Sequence, residues 1–294
     1  MSLPASVALD EICSTEIAGD FNDFFNGSLS EVTGTLAQAW KHHINSGGSR
    51  LRANIAISVA KEAGLSQDIQ YRIAAATEIL HQSSLLLDDI QDRDGFRRGK
   101  PSIWKEYGEG VAINLSLILI TKAYGFISDV ERSEGFKSDL GDIISGSISK
   151  TVFGQQADLE NSKNAILFER YEEICGAKSG TLFALPFLIV MSLQGETEKT
   201  LALCEEIAAL FGLAYQLVDD HEDQYSDNLK LDGLNSAIPY QLKKMEHNSS
   251  LAELLEQVFS KIDILFQKLP DYTQGGQKLF KNNIIKRIEE HSRS

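Results

Sequence analysis

Residues 80–92 read Leu-His-Gln-Ser-Ser-Leu-Leu-Leu-Asp-Asp-Ile-Gln-Asp, and residues 211–223 read Phe-Gly-Leu-Ala-Tyr-Gln-Leu-Val-Asp-Asp-His-Glu-Asp. Both run from a strongly apolar stretch directly into acids. On a helix, residues four apart lie one turn above each other, so Asp88 and Asp92 share a face with Asp89 offset by about 100 degrees. Asp219, Asp220 and Asp223 repeat the spacing. Oxygen ligands of this kind suit a hard cation, and magnesium takes one or two protein carboxylates while keeping waters and substrate phosphate oxygens. A single cluster would read equally as a solvated acidic face. Two clusters, each at the point where a buried helix reaches a mouth, would repel without cations.

Outward from these stretches the pattern is helical. Apolar residues recur at three-to-four spacing without strand-like alternation, and the five prolines stand at 4, 101, 186, 239 and 270. Helices are expected over 7–25 and 29–45 with a turn at Asn26-Gly27. The next begins at Ser49 to Arg52, and the longest spans 67–93. Others are expected over 108–124, 133–152, 166–190 (broken or bent near Pro186) and 197–225, with shorter ones to the end. A basic loop, Arg97-Arg98-Gly99-Lys100-Pro101, follows the first acidic cluster. The fold class expected is all-α, with residues 1–294 as one domain around a 43% hydrophobic composition.

Composition also excludes functions. A net charge of −14 lacks the basic footprint that a nucleic-acid backbone requires. No run of about eighteen apolar residues suggests a membrane span, and the first residues do not read as a signal peptide. Cys13, Cys175 and Cys204 are far apart and without CxxC spacing, so neither a disulfide framework nor a zinc site is expected, and a cytoplasmic setting fits. The acidic balance means that a diphosphate substrate would need local positive charge. Two carboxylate-held metal sites and the Arg97-Arg98 pair supply it: metals bridge carboxylates to phosphates, and guanidiniums clamp the remaining oxygens.

These residues, in order, carry a resemblance. Gly47-Gly48-Ser49-Arg50-Leu51-Arg52, His81 through Asp92, Arg97 through Pro101, Gly154-Gln155 with Asp158-Leu159, Lys178-Ser179, and Phe211 through Asp223 together resemble the trans-isoprenyl diphosphate synthases. The resemblance implies a class I isoprenoid synthase helical bundle around a central cavity, usually a homodimer, with three Mg2+ ions. It implies that Asp88, Asp89, Asp92, Asp219, Asp220 and Asp223 are metal ligands. Arg97, Lys178 and Gln216 would hold an allylic diphosphate, and Arg50, His81 and Arg98 isopentenyl diphosphate.

The chain departs from the family at Ser49, where members usually carry lysine, and after Asp223, where only Lys230 stands before Pro239. Losing one charge-assisted contact at Ser49 would weaken the second substrate site by about 1.5 to 3 kcal/mol. Three readings of the chemistry follow: condensation of isopentenyl diphosphate with an allylic diphosphate, a cyclase or a prenyltransferase using another acceptor, and a non-catalytic partner subunit. Retention of Arg50, His81 and Arg98 favours the first. The resemblance marks Ser84 and Ser83 as the positions where aromatic rings stop growth at short products. Both are small here, and Leu80 lies one turn, about 5.4 Å, deeper. A product of twenty carbons or more is expected.

Overall fold

The computed structural model describes residues 17–134, 140–161, 167–227 and 251–292. Helices α1 (Ile17–Gly27), α2 (Gly34–Ile44), α3 (Leu51–Glu62) and α4 (Gln67–Gln91) lead to a short hairpin of β1 (Phe96–Arg97) and β2 (Lys100–Pro101). Then come α5 (Ile103–Tyr107), α6 (Glu109–Glu134), α7 (Leu140–Asn161) and α8 (Phe168–Cys175). A π-helical turn, Gly176–Gly180, joins α8 to α9 (Thr181–Leu193), and α10 (Glu198–Asp227), α11 (Leu251–Phe266) and α12 (Gln274–Ser292) complete the bundle.

Helix α4 is the axis. Ser66 caps it by accepting from the Ile69 N–H, Asp68 sits in its first turn, and an unbroken buried run from Ile73 to Leu80 lets it pack on α3, α6 and α9. A helix buried on so many sides keeps a fixed direction, and its C-terminal turn delivers Asp88, Asp89 and the C-cap Asp92 to one end. Behind it, α9 is buried at every residue but Ser192. The rings of Phe183, Phe187, Phe211, Phe266 and Phe280 gather there, with Phe211 and Phe280 stacked at 4.1 Å.

Four sequence expectations change here. The turn at Asn26-Gly27 is helical, and the chain leaves α1 after Gly27. Helix α6 runs through Gly125 to Glu134, because Phe126, Ile127 and Val130 continue its packed face, and the next helix starts at 140 rather than 133. Pro186 does not break α9. The irregularity lies earlier, at the π turn, where Gly176 and Gly180 allow backbone contact with α10. Against the expectation of no span-like run, 109–133, 168–193 and 198–222 are each long and apolar enough to cross a membrane, and 89% of the second lies inside the bundle. Cys13 and Lys230 lie outside the described residues.

Candidate active site

The basic stretch after α4 is a β-hairpin with strands of two residues each rather than a loop. Arg98 and Gly99 both take positive φ, 51° and 76°, the geometry that turns a tight hairpin with the natural strand twist. Its consequence is to send the two arginines to different partners. Arg97 Nε donates to Asp89 Oδ1 at 2.8 Å, and its Nη2 lies 2.6 Å from the same oxygen and 3.8 Å from Asp88. Arg98 Nη1 instead donates to the carbonyl of Gly47, beside Gly48, whose φ of +133° is a backbone conformation that L side chains rarely adopt.

The π turn places Lys178 opposite Asp88. Its Nζ donates to Asp158 of α7 at 2.6 Å and lies 3.6 Å from Asp88 Oδ1. Burial opposes its charge, but Asp88 and Asp158 overcome burial and raise its pKa, so it stays an ammonium. Gly154 of α7 makes this possible, since a Cβ there would stand 2.3 Å from the Lys178 backbone nitrogen. On the acidic side, burial and then Asp88 push Asp92 up to about 6. Burial also raises Asp89 against the opposing pull of Arg97.

The second acidic turn lies on α10. Asp220 is buried, accepting from the Tyr171 hydroxyl at 3.0 Å and from Gln216 Nε2 at 3.3 Å, and Gln216 in turn accepts from Ser179 at 3.1 Å. Asp219 meets Arg287 of α12. The helical backbone continues through Asp223, whose side chain lies outside the described residues.

Between the hairpin and α10 is a pocket of about 40 Å³ lined by Gly48, Ser49, Arg50, Arg52, Glu78, His81, Gln82, Arg98 and Tyr215 among others. Arg50, His81 and Arg98 are therefore brought together as expected, and Ser49 is in the same wall. Burial, then Arg52, Arg98 and Arg97, drives the His81 pKa far down, so its imidazole is neutral and offers a hydrogen bond without charge. Burial likewise lowers Arg50, Arg52 and Arg98, a sign that these cations are held in poor solvation.

Several residues of the site are given no role by the sequence reading. Arg52 lies two places after Arg50 in the quoted motif and lines the same pocket, with its guanidinium 3.8 Å over the Phe183 ring. Glu78 is buried, lies 3.7 Å from Arg50, and its Oε2 has no hydrogen-bond partner among the described residues. Tyr171 and Arg287 are distant in sequence from the acids they contact, and no spacing rule reaches them. Ser83 is buried and shares a 2.7 Å hydroxyl contact with Ser116 of α6, Ser84 bonds back to the His81 carbonyl, and Leu80 is buried.

A metal is compatible with this donor set. Among the described residues no three acids, histidines or cysteines gather closely enough to hold an ion unaided. Magnesium, however, needs only one or two carboxylates when phosphate oxygens and water complete its shell. Asp89 Oδ2 is buried with no hydrogen-bond partner among the described residues, an oxygen that a cation would satisfy.

The sequence profile of the polyprenyl synthetase family matches residues 33–233, a span containing both acidic turns, the hairpin and Lys178. The chain is a member of the polyprenyl synthetase family. Among curated relatives, a short chain isoprenyl diphosphate synthase of Methanothermobacter thermautotrophicus is 31% identical over 69% of this chain and 63% of its own. A geranylgeranyl diphosphate synthase of Sulfolobus acidocaldarius is 30% identical over 70% of this chain and 63% of its own. The chain thus spans less than two thirds of the length of these polyprenyl synthetase relatives. A solved geranyltranstransferase of Thermotoga maritima shares the isoprenoid synthase fold, with a TM-score of 0.74, 22% identity, and coverage of 92% of this chain and 98% of that one.

Proposed function

We propose that this protein is a magnesium-dependent prenyltransferase that condenses isopentenyl diphosphate with an allylic diphosphate, residues 1–294 serving as one domain. The observation that carries the reading is the convergence on one mouth of a half-buried ammonium, Lys178, an oriented guanidinium, Arg97, and the Asp88–Asp92 turn, next to a separate pocket bearing three arginines. Asp88, Asp89, Asp92, Asp219, Asp220 and Asp223 would hold the magnesium ions, by resemblance three. The chemistry that magnesium would supply there is neutralising charge for the departing diphosphate.

The chain's own groups then divide the work. Lys178, Arg97 and Gln216 orient the allylic diphosphate and receive the charge that develops on its bridging oxygen as the C1–O bond breaks. Arg50, Arg52 and Arg98, with neutral His81, hold the second diphosphate so that its terminal double bond faces C1. The alkene pair forms the new C–C bond, a proton leaves the adjacent carbon, and the released diphosphate takes it. No protein nucleophile is needed. Incubation with isopentenyl diphosphate and allylic diphosphates of ten, fifteen and twenty carbons tests the reading. Elongated diphosphates support it, whereas diphosphate release without isopentenyl consumption would identify a cyclase or a prenyltransferase with another acceptor. No release from any allylic substrate would identify a partner subunit.

Ser49 lies in the wall of the arginine pocket, so an ammonium introduced there would face the same ligand. Ser49→Lys is expected to lower the KM for isopentenyl diphosphate about tenfold to hundredfold, the equivalent of one charge-assisted contact. The KM for the allylic substrate should stay level. Steady-state kinetics with each substrate varied separately decides it, and equal changes in both would place Ser49 outside the acceptor site.

The product proposed has twenty carbons or more. Ser83 is engaged with Ser116, and a ring there would overpack the α4–α6 contact. Ser84 is only half-buried and, among the described residues, bonds only within its own helix, so Ser84→Phe is the cleaner test. It is expected to shorten the product by one or more isoprene units by mass spectrometry. An unchanged product would remove Ser84 from the channel wall.

A homodimer is supported by Ile113, Leu117 and Tyr124, which leave one exposed apolar stripe along α6 at helical spacing. Cys175 and Cys204 are free and buried, which supports a reducing, cytoplasmic setting.

A further inference from the structure

Arg287 comes from the last helix of the bundle and is pinned at the second acidic turn. Its Nε and Nη2 donate to the two carboxylate oxygens of Glu222 at 3.0 and 2.6 Å, and Nη2 also donates to Asp219 Oδ1. The guanidinium carbon lies 4.8 Å from the centroid of the Tyr215 ring, and the side chain is 18% exposed. The start of the helix that carries it packs closely on α3 and α9: a Cβ on Gly275 would meet Glu62 and Ser58, and one on Gly276 would meet Val59 and Phe187.

A forked guanidinium bridging two carboxylates is among the strongest side-chain pairings. The acid it shares with Glu222 is the first aspartate of the second turn. A lone pair directed at a guanidinium is not free to enter the inner shell of a hard dication, and the two cations repel each other besides. Glu222 supplies a place to retreat, since it binds Arg287 through both oxygens and would keep the charge paired after Asp219 is surrendered.

We propose that Arg287 is a positioning residue that serves as the resident counter-cation of the second acidic turn. It pairs with Asp219 and Glu222 in the resting protein and must yield Asp219 before a divalent ion is held there. It therefore sets the metal concentration at which that turn loads. The proposal rests on the reading of Asp219 as a metal ligand, and it predicts an effect opposite in sign to that of a merely structural contact. Removing a brace loosens metal binding; removing a competitor tightens it.

The test is a Mn2+ titration followed by the electron paramagnetic resonance signal of the free ion, on substrate-free protein. Four forms are compared: parent, Arg287→Met, Arg287→Lys, and Arg287→Met combined with Asp219→Asn. Arg287→Met is expected to tighten the weaker class of Mn2+ sites about tenfold, with the gain abolished by Asp219→Asn. Arg287→Lys, a point charge that cannot span both acids, should fall between. Unchanged or weaker binding in a folded Arg287→Met overturns the proposal. If that variant does not fold, an unchanged Arg287→Lys overturns it instead. Should the parent take up no Mn2+ even with an allylic diphosphate present, the metal reading of the turn fails and this proposal with it. Normal uptake in the parent without tightening in the variants sinks this proposal alone.

Discussion

Lys178→Met is expected to lower kcat about 10²- to 10³-fold, the range seen when one preorganised electrostatic group is removed from a site of developing charge. The ammonium is not a mobile surface charge. It is fixed by Asp158 at 2.6 Å and faces Asp88 at 3.6 Å, on a backbone turn packed against two helices. Methionine keeps the length of the stem and loses the cation. Asp88, Asp92 and Asp158 would then face one another with less compensation, so binding of the allylic diphosphate should also weaken, by less than the rate falls. Asp158 is partly exposed and can hydrate, which keeps the fold intact. Single-turnover measurement of diphosphate release under saturating substrate checks the rate. A loss below threefold, with an unchanged far-ultraviolet spectrum, would show that Lys178 does not act on the leaving group.

The second large effect is on stability. Gly180→Ala would place a methyl group 1.9 Å from the carbonyl oxygen of Ala208, a backbone atom that no rotamer change can move. Overpacking of this kind costs about 3 kcal/mol, which lowers the melting temperature by roughly 6–12 °C at the usual ~2–4 °C per kcal/mol for a chain approaching this size. Gly212→Ala, at 2.2 Å from the carbonyl of Cys175, should behave alike. Gly125→Ala is the control: nothing lies within 4 Å of its would-be Cβ, and it stands inside α6. It should stabilise by about 0.5–1 kcal/mol, because alanine suits a helix interior better than glycine. Similar melting temperatures for Gly180→Ala and Gly125→Ala would refute the close approach of the π turn to α10.

Helix α4 was legible because a long run of small and apolar residues without proline or glycine, buried from 73 to 80, continues in one helix to Asp88 and Asp92. The hairpin was not, since its strands of two residues are too short to alternate and its turn needs positive φ at Arg98, which side-chain identity does not announce. The π turn was hidden by Pro186, a louder signal that α9 absorbs in a fully apolar setting. Arg287 and Tyr171 reach the acidic turn only through tertiary packing, 65 and 49 residues away from their partners. Arg52 was passed over for Arg50 because a neighbouring pair of like charges gives no hint of which one the fold turns inward.

The glycines at 154, 180 and 212 press backbone against backbone around Lys178, so the half of the mouth that they shape tolerates almost no change at those positions. Ser49 occupies the opposite situation, a loop position whose side chain lines the arginine pocket without being wedged into the core. Heritable variation therefore has very different room on the two sides. Under the proposed function, drift can rewrite what accepts the prenyl cation while the machinery that makes the cation stays frozen, and new acceptor chemistries should arise by changes in the 47–50 loop long before any alteration of the π turn survives.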